Sequence, residues 1–150
     1  MDGYLDRWLE ELLVTPGITG VDDRETAHRV LLDDALRASP LLQRHSGTVV
    51  DVGSGGGTPG IPLATAFPER SFTLLEAERR KCDFLERVTT GLDNVAVLWG
   101  RAEEQLPDTY GIALAKALLR LATFAVKSSR NCKSYPTDER PVPSKPCSPR

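Results

Sequence analysis

The stretch with the densest chemical content reads Asp51-Val52-Gly53-Ser54-Gly55-Gly56-Gly57-Thr58-Pro59-Gly60. Five of these ten residues are glycine, and they follow directly on the β-branched run Thr48-Val49-Val50. A turn of this composition lets main chain lie against a ligand where a Cβ would not fit. A helix behind such a turn adds amide N–H groups that have no partner within the helix. A carboxylate, Glu76, stands at the end of the next apolar run, Ser71-Phe72-Thr73-Leu74-Leu75. An acid at that point is suited to accept hydrogen bonds from the two hydroxyls of a ribose.

The glycines fit two patterns. Gly55-x-Gly57-x-x-Gly60 satisfies the dinucleotide fingerprint, which alone is weak. Asp51-x-Gly53-x-Gly55-x-Gly57 satisfies the acidic form of S-adenosylmethionine-binding turns. The neighbours favour the second pattern. Asp51 lies on the strand two residues before the first glycine, a position usually apolar in nicotinamide enzymes, and here it falls near the methionine end of the ligand. Glu76 follows in order, and Gly100-Arg101-Ala102-Glu103 comes after a third apolar run, where adenine belongs. A nicotinamide-dependent oxidoreductase is the reading the first pattern leaves open.

The elements that must position these groups are legible as a change of period. Tyr4 to Val14 carries Leu5, Trp8, Leu9, Leu12 and Leu13 at helical spacing, with Asp6, Arg7, Glu10 and Glu11 between them, and Thr15-Pro16-Gly17 ends it. A second helix is expected from Asp22 or Asp23 to Ala38, burying Val30, Leu31, Ala35 and Leu36, with Ser39-Pro40 closing it. From Thr48 onward, strands at 48–52, 71–75, 94–99 and 111–115 alternate with helices at 61–67 and 78–88. That alternation implies βαβ units on a parallel sheet, an α/β fold of the Rossmann-like class. The predicted organisation is an N-terminal helical region over 1–46, a cofactor-binding core over 47–118 and a divergent tail over 119–150.

At 150 residues with 40 % hydrophobic and 27 % charged content, the chain has ordinary globular composition. No apolar run approaches the ~18 residues of a membrane span, and the early acidic residues do not suit a secretory leader. Three cysteines, Cys82, Cys132 and Cys147, form no C-x-x-C pair. The expectation is therefore a cytoplasmic protein without a metal site or membrane association. His28 and His45 are isolated, and Cys82 sits in a charged helix with nothing to activate it. Charge is unevenly placed: Met1 to Ala117 holds 12 basic and 19 acidic residues, whereas Leu118 to Arg150 holds 7 basic and 2 acidic. Basic clusters for RNA are confined to Arg79-Arg80-Lys81, read as a solvated helix face, and the tail. The tail from Lys127 has no periodicity and reads as disordered. The charge reversal after Ala117 suggests that two kinds of sequence are joined there.

Several segments together resemble the bacterial glucose-inhibited division protein B family. They are Arg29-x-Leu31-Leu32-Asp33, the glycine loop with its continuation Thr58-Pro59-Gly60-Ile61-Pro62-Leu63, Phe72-Thr73-Leu74-Leu75-Glu76, Arg80-Lys81-x-x-Phe84-Leu85 and Gly100-Arg101-Ala102-Glu103-Glu104. The resemblance covers roughly Leu5 to Leu118; the family continues with more strands and helices that nothing from Leu121 onward resembles, which implies a truncated or frame-altered terminus and a sheet left incomplete on that side. It implies a class I S-adenosylmethionine methyltransferase fold, S-adenosylmethionine as cofactor and guanine N7 of 16S ribosomal RNA in the small subunit as the methyl acceptor. It also implies that Gly53 and Thr58 touch the cofactor, that Ala102 and Glu103 lie beside the adenine and that Glu76 binds the ribose. Lys116 stands where the family carries an arginine, a further cofactor or substrate contact. The chain departs from the family pattern at Val30, usually histidine, and at Asp34, usually serine. N7 has an in-plane lone pair and no proton, so no acid or base is expected among the residues. A catalytically defective fragment retaining at most cofactor binding is the alternative.

Overall fold

Short β-branched runs punctuated by glycine and proline fold as strands, and the amphipathic stretches between them return the chain to the start of the next strand. A computed structural model of the chain describes residues 2–105 and 109–116. A further helix that the sequence allows at 118–126 and the expected disordered tail lie outside these residues. Strands β1 (Val49–Val52), β2 (Phe72–Glu76), β3 (Val95–Trp99) and β4 (Ile112–Ala115) form one parallel sheet in the order β3-β2-β1-β4. From β1 the chain proceeds to β2 and β3 on one side, and β4 returns to the other side of β1. That reversal makes the carboxyl ends of β1 and β4 a topological switch point, where such sheets leave a crevice.

The register brings the chemical residues to that end. Asp51 is opposite Leu74 and Leu114, Val52 opposite Leu75 and Ala115, and Glu76 opposite Trp99. Helices α5 (Gly60–Ala66) and α6 (Arg79–Val88) make the crossovers. Because strand side chains alternate, Val49, Phe72, Ile112 and Leu114 meet Leu63 and Ala64 of α5 in one cluster. Leu74 joins a second cluster with Ile61, Phe84 and Leu85.

The N-terminal region packs on the second cluster through α1 (Asp2–Val14), which inserts Trp8, Leu9 and Leu12, as its spacing predicts. Burial of each such side chain contributes roughly 1.5–3 kcal/mol. Helix α2 (Arg24–Ala27) starts where an acidic cap is expected, with Asp23 accepting from the Thr26 amide at 2.8 Å. It runs through a π-helical segment, His28–Asp33, into α3 (Asp34–Leu36). There the Asp34 amide bonds to Arg29 O, five residues back. The extra residue in that turn rotates the buried face. Ala27, Leu32 and Ala35 are buried, while the expected Val30, Leu31 and Leu36 are half-buried.

Ser39-Pro40 does not close the segment as expected. It opens α4 (Ser39–Arg44), because proline in a first turn forfeits no hydrogen bond, and α4 buries Leu42 completely. Among the described residues no helix is long and apolar enough to cross a membrane.

Candidate functional site

The turn from Gly53 to Pro59 leaves β1 at its carboxyl end and is held by its own amides. The Gly53 and Ser54 N–H groups donate to Leu75 O at 2.8 and 3.2 Å, and Ser54 Oγ donates to Asp51 O at 2.8 Å. Gly53, Gly55 and Gly57 all have positive φ. At Gly55, φ is +56° and the nearest atom to an added Cβ would be 3.9 Å away, so conformation and not crowding selects glycine there. Gly60 is the opposite case: an added Cβ would strike Leu74 and stand 2.8 Å from Asp51 Oδ2.

Glu76, nearly buried, turns its carboxylate toward this loop. Oε2 accepts from the Gly55 amide at 2.8 Å and Oε1 from the Glu78 amide at 2.9 Å. Each carboxylate oxygen keeps a second lone pair for a ligand hydroxyl. Asp51 is fully buried. Its Oδ2 accepts from the Gly60 amide at 3.0 Å, and its Oδ1 has no partner. Burial pushes the Asp51 carboxyl up to about 7, against the opposing pull of the Gly60 and Ser54 bonds; Glu76 raises it further and Lys116 lowers it. A buried acid with one idle oxygen is costly unless it is protonated or meets a cation.

The remaining expected residues surround this centre unequally. Ala102 and Glu103 lie exposed on a 3₁₀ turn, Ala102–Glu104, anchored by the Gly100 amide donating to Glu76 O at 2.9 Å and the Arg101 amide donating to Glu104 Oε2 at 3.1 Å. Thr58 Oγ1 donates to Leu31 O at 2.7 Å, which ties the loop to the π-helical segment. Lys116, one residue past β4, is engaged by Val30 O at 2.6 Å and Asp34 Oδ2 at 2.9 Å.

Trp99, at the end of β3, is not a core residue. It is 56 % exposed, with its indole N–H donating to Ala77 O at 3.0 Å and Arg79 stacked 5.3 Å above the ring. Arg79 also pairs with Asp83 and Lys81 with Glu78, as on an ordinary solvated helix face. Cys82 is buried against Glu76 O at 3.3 Å, and burial pushes its thiol up to about 11, which leaves no thiolate for chemistry. His28 is a surface residue 3.3 Å from Asp33. Among the described residues no three His, Cys, Asp or Glu side chains are grouped to hold a metal. A depression at the amino ends of β2 and β3, lined by residues 68–71 and 91–94, lies at the far end of the sheet from the loop.

Sequence reasoning missed one support of the site. The Trp8 indole N–H donates to Gly56 O at 2.9 Å, so α1 braces the glycine loop directly. The contact joins residues 48 positions apart, and the helical spacing of Trp8 marks it only as core. Trp8→Phe keeps the apolar contact and strands the Gly56 carbonyl. A loss of about 1–3 kcal/mol is expected in urea denaturation; an unchanged midpoint would show that the carbonyl finds water instead.

The family described as rRNA small subunit methyltransferase G matches residues 4–136. Proteins named ribosomal RNA small subunit methyltransferase G are similar to the chain in Marinobacter nauticus (45 % identity over 89 residues, 58 % of this chain and 40 % of the relative), in Stutzerimonas stutzeri (43 % over 107, 69 % and 49 %) and in Neisseria meningitidis serogroup C (38 % over 114, 73 % and 54 %). The chain thus spans about half the length of these relatives, or less. A crystal structure of coclaurine N-methyltransferase shares the fold with TM-score 0.52 and 18 % identity, covering 75 % of this chain and 35 % of that one. With the strand order, the glycine loop and the sequence match together, the chain belongs to the rRNA small subunit methyltransferase G family.

Proposed function

We propose that the loop at 53–60, Asp51 and Glu76 bind S-adenosylmethionine, and that the methyl group goes to guanine N7 of 16S RNA in the small ribosomal subunit. The observation that carries the cofactor reading is the pairing of Glu76 at the loop with a fully buried Asp51 whose Oδ1 has no partner. A ligand that brings ribose hydroxyls to the first and a cation toward the second answers both. The open space beside Gly55 leaves room for a ligand at the loop. The exposed turn carrying Ala102 and Glu103 is the adenine side in this reading. The family and the names of the relatives support the RNA substrate.

When bound, S-adenosylmethionine supplies an electrophilic methyl group on a sulfonium. The residues of this chain contribute placement. Glu76 grips the sugar, the glycine turn admits the adenosyl group at close range, and Asp51 balances positive charge at the far end. N7 attacks with a lone pair and gives up no proton, so rate enhancement comes from holding the acceptor in line and not from acid–base transfer. The direct test is transfer of radiolabelled methyl groups to small ribosomal subunits that lack the modification. Incorporation abolished by Glu76→Ala is expected; absence of incorporation by a chain that binds S-adenosylmethionine would favour the defective-fragment alternative.

Asp51 gives this reading a pH signature. Its carboxyl is raised in the folded state to about 7 from 3.8, so the ligand-free fold binds a proton there that the unfolded chain has released. Stability from this group is therefore fully present below about pH 4 and falls as pH rises toward and through about 7. Binding of a cationic ligand runs the other way, because it needs the carboxylate. Affinity for S-adenosylmethionine is expected to rise about tenfold from about pH 6 to about pH 8, and Asp51→Asn to flatten the profile. A pH-independent affinity in the unaltered chain would remove Asp51 from the site.

A further inference from the structure

Lys116 is attached to two groups of the N-terminal region at once. Its ammonium donates to Val30 O at 2.6 Å and pairs with Asp34 Oδ2 at 2.9 Å, and both side chains are largely shielded, at 14 % and 28 % exposure. Val30 belongs to the π-helical segment His28–Asp33, and the carbonyl of the next residue, Leu31, accepts from Thr58 Oγ1 at 2.7 Å. In a regular α-helix the Asp34 amide would bond to Val30 O; here it bonds to Arg29 O. The wide turn thus presents two successive carbonyls to side chains, one from the end of β4 and one from the glycine loop. An ammonium shared by a carboxylate and a carbonyl, partly out of water, makes a stronger and more directional tie than a surface ion pair. Among the described residues Asp34 has one other cation in range, the exposed Arg37 at 3.8 Å. Lys116 and Asp34 are also two of the three positions, with Val30, where the chain departs from the pattern the resemblance implies, and they meet each other.

We propose that Lys116 is a positioning residue: by clamping Val30 O and Asp34 it fixes the 28–33 segment, and through the Leu31–Thr58 bond it sets the glycine loop in its ligand-accepting shape. It acts on the ligand through Thr58 and the loop, without touching the ligand itself. The effect on affinity rests on the cofactor reading above; the clamp itself does not.

The test uses the full chain with Lys116→Met, Asp34→Asn, both together, and Lys116→Arg. Amide hydrogen exchange over residues 28–37 and 57–61 is compared with titration by S-adenosylhomocysteine. Both single changes are expected to accelerate exchange in these two segments and to weaken S-adenosylhomocysteine binding about tenfold, with the double variant no worse than either single one. Lys116→Arg, which keeps charge and donors, is expected to restore most of the affinity. Should Lys116→Met not fold, Asp34→Asn carries the same comparison. Affinity lost in Lys116→Met but unchanged or improved in Asp34→Asn would make Lys116 a direct ligand contact and overturn the proposal. Unchanged exchange in both variants would overturn it equally. If the unaltered chain does not bind S-adenosylhomocysteine, the cofactor reading fails, and the exchange comparison alone decides the clamp.

Discussion

Glu76→Gln should abolish measurable nucleoside binding while leaving a folded chain. The carboxylate already orders the loop by accepting the Gly55 and Glu78 amides at 2.8 and 2.9 Å. In the proposed reading its remaining lone pairs accept from the ribose hydroxyls. Hydrogen bonds to a charged acceptor contribute about 1.5–3 kcal/mol each. Losing two of them at the sugar costs about 3–6 kcal/mol, so affinity for S-adenosylhomocysteine is expected to fall roughly 100- to 10,000-fold. The amide of glutamine also turns a donor toward one of the two backbone N–H groups. A loss of roughly 1–3 kcal/mol in stability accompanies the loss of binding. Calorimetric titration and urea denaturation on the same preparation separate the two effects. Stability lost with affinity unchanged would leave Glu76 as a loop brace and nothing more.

The second large effect is at Gly60, the first residue of α5. A methyl group there meets Leu74 and stands 2.8 Å from Asp51 Oδ2, both in the buried interior. Overpacking costs about 1–3 kcal/mol. Pushing Asp51 away from the Gly60 amide adds about 1–3 kcal/mol for a buried acceptor left without its donor. The better helix propensity of alanine returns only about 1 kcal/mol. Gly60→Ala is therefore expected to lower stability by about 3 kcal/mol in urea denaturation. Gly55→Ala provides the contrast. Space is open there, so stability falls by about 1–2 kcal/mol for a left-handed alanine, and the main loss is in ligand affinity. Equal behaviour of the two variants would mean that the loop glycines serve packing alone.

These two glycines show what the sequence makes legible. Their spacing after a β-branched run marks a ligand turn, and the parallel sheet follows from the alternation of periods, because each strand and crossover is specified locally. What stayed hidden depends on contacts across the fold. Ser39-Pro40 carries the chemistry of a helix boundary but not its direction, and here it begins α4. The π-helical turn shifts the buried face from Val30 to Leu32, and no spacing in the sequence announces an added residue per turn. Asp51 and Glu76 are identifiable as candidate site residues from position. That Asp51 is buried with an idle oxygen, and that Glu76 already binds the loop, emerges only when α5 and β2 are packed together. Lys116 is notable in sequence as a departure from arginine, but its partner Asp34, 82 positions earlier, becomes meaningful only in three dimensions.

The central claim is that the carboxyl end of this sheet is shaped for an adenosyl ligand with a cationic tail. Isothermal titration of the full chain with S-adenosylmethionine, S-adenosylhomocysteine and NAD tests it most directly. Saturable one-to-one binding of the first two, with no heat from NAD, is the predicted result. Binding of NAD in their place, or no binding of S-adenosylmethionine to a chain that unfolds cooperatively, would contradict it.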